Sequence, residues 1–154
     1  MTKIIYSDSL EETQRLGRAL GKLFATCPAV LLMRGDLGAG KTTLSQSIVA
    51  GYGLTDPVTS PTYTLMNIYG EGAFYHYDLY RLQDVDELEE IGFDEAMDED
   101  LPVIIEWPEL VADYPFKHRL ALEISYGEEP CSRRFAFETS DPVLTEGLNQ
   151  LESN

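Results

Sequence analysis

One short stretch does most to limit what this chain can be. Gly35-Asp36-Leu37-Gly38-Ala39-Gly40-Lys41-Thr42 matches G-x-x-x-x-G-K-[ST] at every fixed position. It follows a continuous apolar run, residues 29–33, of the kind that forms a strand covered on both faces. After it, Leu44, Ile48 and Val49 suit a helix. Strand, glycine-rich loop and helix in that order is the context in which this motif wraps a phosphate. Such a loop must aim successive backbone N–H groups inward, and glycine permits the positive φ angles and close approach required. Lys41 would add a point charge for the β- and γ-phosphates, Thr42 a hydroxyl for Mg²⁺, and the helix its positive dipole end. A chance match is expected in roughly one chain of this length in a hundred or fewer. Nucleotide binding is the expectation, against a plain glycine-rich turn with a helix-capping threonine.

A second acid should hold or orient the magnesium from the end of a neighbouring strand. Residues 103–106 (VIIE) place Glu106 after a wholly apolar lead-in, whereas residues 74–78 (FYHYD) end a mixed strand with Asp78. The pattern favours Glu106 for the metal and leaves Asp78 to orient water or the metal's hydration shell; a solvated strand-end carboxylate is the plain alternative for each. Between the helix and the next strand, Thr59, Ser60, Thr62 and Thr64 surround Pro61. That chemistry suits a loop that closes on a γ-phosphate, or an ordinary polar turn.

The rest of the pattern describes one α/β domain. Ser9-Leu10-Glu11-Glu12 has the form of a capping box, and Leu16, Leu20, Leu23 and Phe24 continue a helical face until Cys27-Pro28 stops it. Residues 64–69 and 74–78 flank Gly70-Glu71-Gly72 as a hairpin. Residues 85–97 read as helix broken near Gly92, residues 120–125 and 133–138 as a second strand pair, and Asp141-Pro142 as the start of a last helix. The expected fold is a three-layer, P-loop NTPase-like α/β domain over residues 1–154, with a mixed parallel and antiparallel sheet.

Composition narrows the partners. The 154 residues carry 27 acidic and 11 basic side chains, a net charge of −16, which opposes unaided binding of a phosphate backbone. Apolar runs stop far short of the roughly 20 residues of a membrane span, and the N-terminus has no signal-peptide pattern, so a cytoplasmic protein is expected. Cys27 and Cys131 have no metal-motif spacing and read as reduced thiols. His76 and His118 lack a companion for triad or metal chemistry and read as packing or surface residues. Trp107 reads as a wall residue on the sheet.

GDLGAGKTTL, SPTYTL, YHYDLYRL, an acidic ELEEIGFDE stretch and IIEWPE occur in that order. Together they closely resemble the bacterial TsaE (YjeE) family over residues 7–134. The resemblance implies an Mg²⁺-dependent ATPase that sustains formation of N6-threonylcarbamoyladenosine (t6A) in tRNA, acting with TsaB and TsaD and meeting tRNA only through that complex. It places Gly35, Asp36, Leu37, Gly38, Ala39, Gly40, Lys41, Thr42 and Thr43 on the nucleotide, with Thr42 and Glu106 on Mg²⁺. Asp78 matches an acid implicated in hydrolysis, and Ser60, Pro61 and Thr62 a switch-like loop. Ser9 and Thr13 bound a segment near adenine and ribose, and Arg134, of the neighbouring pair Arg133-Arg134, matches an arginine near the nucleotide.

Residues 84–100 hold ten acids and no lysine or arginine. They read either as a solvated helical face or as a dock for a basic patch on TsaD or TsaB. The rivals to an ATPase are a small-molecule P-loop kinase and a non-hydrolysing regulatory module. A kinase needs cations around the transferred phosphoryl, yet Arg81 is the one lysine or arginine between Lys41 and Lys117. The Asn-Lys-x-Asp signature of GTPases is absent.

Overall fold

The computed structural model describes residues 1–36, 38–59, 61 and 65–151. In chain order the elements are β1 (Thr2–Ser7), α1 (Leu10–Thr26), β2 (Val30–Gly35), α2 (Lys41–Tyr52), β3 (Met66–Tyr69), β4 (Phe74–Asp78), α3 (Asp86–Glu90), α4 (Phe93–Met97), β5 (Val103–Glu106), a 3₁₀ turn (Pro108–Val111), β6 (Arg119–Tyr126), β7 (Arg133–Glu138) and α5 (Pro142–Leu151). The strands form one sheet in the order β1-β7-β6-β2-β5-β4-β3. β6, β2, β5 and β4 run parallel at its centre, and the flanking pairs β1–β7, β7–β6 and β3–β4 are antiparallel. The expected mixed sheet is therefore present, with a hairpin at 70–73 and the helical segment broken at Ile91-Gly92.

The apolar run in β2 is buried from Val30 to Met33 because alternate side chains enter different cores. Leu31 and Met33 join Ile104, Phe74, Leu122 and Phe135 under α1, α2 and α5. Val30 and Leu32 join Tyr77, Ile105, Leu88 and Phe93 on the α3 and α4 side. These are the three layers the pattern called for.

At the start of α1, Ser9 Oγ accepts from the Glu12 N–H at 3.1 Å. Glu12, however, reaches one residue further back than a capping box, accepting from the Asp8 N–H at 2.7 Å. α1 and α2 meet through glycines. A Cβ on Gly21 would lie 2.2 Å from the Ile48 carbonyl oxygen, and one on Gly51 2.2 Å from that of Arg18. This contact holds α2 against α1. β1 was not evident in the sequence: Ile4-Ile5-Tyr6 gives no alternation, and the strand forms because β7 offers it a complete register from Thr2↔Glu138 to Ser7↔Arg133.

Candidate nucleotide site

Sheet register aligns the site. β2 lies beside β5 with Met33 opposite Glu106, and β4 lies beyond with Asp78 opposite Glu106. The chain leaving β2 therefore enters its glycine-rich loop next to two carboxylates. Asp36, Gly38, Gly40, Lys41, Thr42, Thr43, Asp78, Glu106, Tyr80 and Trp107 line one cleft of about 840 Å³, a size within the range of small-ligand sites.

Gly38 (φ 80°) and Gly40 (φ 108°) take left-handed conformations. A Cβ on Gly40 would meet nothing within 4 Å, so conformation, not space, demands glycine there. Gly40 N-caps α2 without any side chain closing the helix end, leaving first-turn amides for an anion. Ala39 is fully buried in the core under α2, and Gly35 allows close passage of β6, where a Cβ would stand 3.0 Å from the Ile124 carbonyl oxygen.

Lys41 starts α2 and is 8% exposed. Its Nζ lies 3.9 Å from Glu106 Oε1 and 4.7 Å from the centre of the Trp107 ring. The other Glu106 oxygen accepts from His76 Nε2–H at 2.6 Å. On the far side of that ring, Nδ1 shares a 3.0 Å hydrogen bond with the Tyr69 hydroxyl, which in turn reaches the Thr59 carbonyl at 3.5 Å. Burial pushes the Tyr69 phenol above its ordinary value; the Asn67 hydrogen bond opposes this, and Glu106 and Asp56 add to it. Asp78 is buried, and its Oδ1 accepts from the Tyr80 N–H at 3.0 Å.

The donor set fits a magnesium nucleotide. A hydroxyl (Thr42) and a buried carboxylate (Glu106) are hard oxygen ligands of the type Mg²⁺ takes along with phosphate oxygens. A lysine and an uncapped helix end face the same space. The model of the threonylcarbamoyl adenosine biosynthesis protein TsaE family matches residues 7–135. This chain belongs to the TsaE family. A tRNA threonylcarbamoyladenosine biosynthesis protein TsaE from a Nostoc species is 43% identical over 136 residues, spanning 84% of this chain and 81% of its own length. The Bacillus subtilis TsaE is 38% identical over 116 residues, 74% and 72% of the two chains. Among solved structures, Bacillus subtilis YdiB superposes with a TM-score of 0.74 at 27% identity, over 99% of this chain and 95% of the other.

Within this TsaE-family fold, Lys41, Thr42, Thr43, Asp36, Gly38, Gly40, Asp78 and Glu106 come together as the sequence suggested. Leu37, Ser60 and Thr62 lie outside the described residues. Ser9 and Thr13 are not in the cleft lining: Ser9 caps α1, and Thr13 Oγ1 sits 2.7 Å from Ser7 Oγ. Ser7 in turn lies opposite Arg133 in the sheet.

Of the pair Arg133-Arg134, it is Arg133 rather than Arg134 that touches the glycine-rich loop. Phe135 faces the core beneath α1 and α2, so the pleat turns Arg133 to that face and Arg134 away from it. It is Arg133 whose Nε donates to the Ala39 carbonyl at 3.0 Å, with its guanidinium 4.6 Å from the Tyr126 ring centre. Three further residues escaped the sequence reading. Trp107 lines the cleft and packs against Tyr80 at 4.8 Å. Tyr80 itself carried no motif. His76 is the direct partner of Glu106, and the available signal was parity: it shares a strand face with Asp78, two residues on.

Proposed function

We propose that this protein binds ATP with Mg²⁺ in the 35–43 loop and hydrolyses it, weakly alone and faster with TsaB and TsaD, to sustain t6A formation on tRNA. The observation that carries the proposal is the convergence of Lys41, Asp78 and Glu106 on one glycine-rich helix N-terminus. The names of the relatives, which place them in tRNA threonylcarbamoyladenosine biosynthesis, support the pathway.

The roles follow from chemistry. The amides at the start of α2 and the Lys41 ammonium grip the β- and γ-phosphates. To do so Lys41 leaves Glu106 and Trp107, a small movement for a four-carbon stem. Thr42 and Glu106 would hold Mg²⁺, which when bound neutralises charge on the phosphates. His76 fixes the Glu106 carboxylate from behind, so one oxygen always faces the cleft. The Asp78 carboxylate, anchored by the Tyr80 amide, orients a water for attack on the terminal phosphorus. Lys41 is the one cation in the described cleft lining. That poverty suits water as acceptor and a partner protein as the source of further charge stabilisation.

The test is phosphate release from ATP by the protein alone, then with TsaB, TsaD and tRNA. Release that rises with the partners supports the reading. Transfer of phosphate to a metabolite would identify a kinase, and nucleotide binding without turnover a regulatory module.

A further inference from the structure

The two ends of the parallel strands carry different chemistry. The nucleotide cleft occupies the end formed by Gly35, Asp78 and Glu106. At the opposite end, about 20 Å away along β2 at roughly 3.3 Å per residue, three side chains from distant parts of the chain converge. Cys27 ends α1, its N–H donating to the Leu23 carbonyl at 2.9 Å, and it is 4% exposed. His118 immediately precedes β6, and its carbonyl accepts from the Val30 N–H at 2.8 Å, which fixes it beside the start of β2. Asp141 caps α5: its Oδ1 accepts from the Val143 and Leu144 amides at 2.9 and 3.1 Å. The other oxygen, Oδ2, lies 2.6 Å from His118 Nδ1. One donor atom from each of the three residues lies within 4.8 Å of the other two.

We propose that Cys27, His118 and Asp141 form a second metal site, for one divalent cation of the zinc class. The donor set selects the metal. A thiolate and an imidazole suit Zn²⁺, whereas Mg²⁺ and Ca²⁺ call for oxygen. Three protein donors leave a fourth tetrahedral position for water, and the His118 side chain, 33% exposed, sits at the solvent side. Burial and the Asp141 charge both push the Cys27 thiol up; a cation in the same place reverses that balance and makes the thiolate a ligand. The cap of α5 survives ligation, because Oδ1 serves the helix and Oδ2 faces the cluster. The bound ion would join the end of α1, the start of β6 and the start of α5. Spacing could not reveal it, since the ligands stand at 27, 118 and 141.

The site is independent of the nucleotide reading, so its test uses the reduced full chain without nucleotide and Co²⁺ as the probe. The expected result is one Co²⁺ per chain with a thiolate-to-cobalt charge-transfer band that Zn²⁺ displaces. Cys27→Ser should abolish the band and Cys131→Ser preserve it. Asp141→Asn, which retains a capping oxygen, and His118→Gln should weaken Co²⁺ binding at least about tenfold, the least that loss of an outer-shell partner usually costs. Absence of the band from the unmodified protein overturns the proposal whatever the variants do. So does a band that survives Cys27→Ser or vanishes in Cys131→Ser.

Discussion

Glu106 is engaged on both sides in the cleft, touching Lys41 through one oxygen and His76 through the other. Removing the His76 partner leaves a buried carboxylate that has lost its shortest hydrogen bond, a loss of about 1–3 kcal/mol. His76→Ala should therefore slow ATP turnover several-fold or more while changing nucleotide affinity little, as read from kcat against KM; His76→Gln, which keeps a donor, should recover part of the rate. Equal loss of both constants in both variants would make His76 a purely structural residue. Two hydroxyls show the opposite situation. Ser45 Oγ, one turn beyond Lys41, and Tyr77 Oη are buried without a hydrogen-bond partner among the described residues. An unpaired buried hydroxyl is a cost, so Ser45→Ala and Tyr77→Phe should each leave stability unchanged or raise it, by up to about 1 kcal/mol. A denaturant midpoint lowered by either variant would mean that the hydroxyl has a partner after all.

The elements differ in how openly the sequence declared them. The loop and its helix were readable because a motif of the phosphate-binding type restricts residue type position by position, and β2 and β5 because burial on both faces demands unbroken apolar runs. β1 was hidden, since an edge strand takes its conformation from the partner it pairs with. The orientation of Arg133-Arg134 was hidden for a related reason: two identical neighbours carry no information about the face each will occupy until Phe135 is seen in the core. The α1–α2 contact was written as Gly17 and Gly21, four residues apart, yet helix propensity marks such glycines only as weak points. The structure reverses that valuation. Alanine would gain about 1 kcal/mol of helix propensity, but at position 21 its Cβ would press on backbone atoms at 2.2 to 2.7 Å, and overpacking of this kind costs roughly 1–3 kcal/mol. Gly21→Ala should thus be net destabilising in urea or guanidinium unfolding. A stabilised variant would show that α1 and α2 can separate freely.

For the whole molecule the dominant quantity is the charge of −16. No described helix is long and apolar enough to cross a membrane. α3 and α4 turn Leu88, Phe93 and Ala96 inward, so acids such as Glu89 and Glu90 are left on the surface. A field of this sign repels tRNA and attracts a basic protein face. The protein alone should therefore not bind tRNA tightly at physiological salt. If TsaB and TsaD are the partners, as proposed, reversing Glu87, Glu89 and Glu90 to lysine should weaken assembly with them far more than ATP binding; equal loss of both would refute docking through this surface. The proposed function presupposes a phosphate cradle at the start of α2, and calorimetric titration with Mg²⁺-ATP tests it most directly. One site per chain is expected in the unmodified protein, with an affinity lower by roughly 10- to 100-fold in Lys41→Ala, the worth of a charge-assisted contact. A flat titration of the unmodified protein, or equal heats and affinities for the two proteins, would contradict the proposed function.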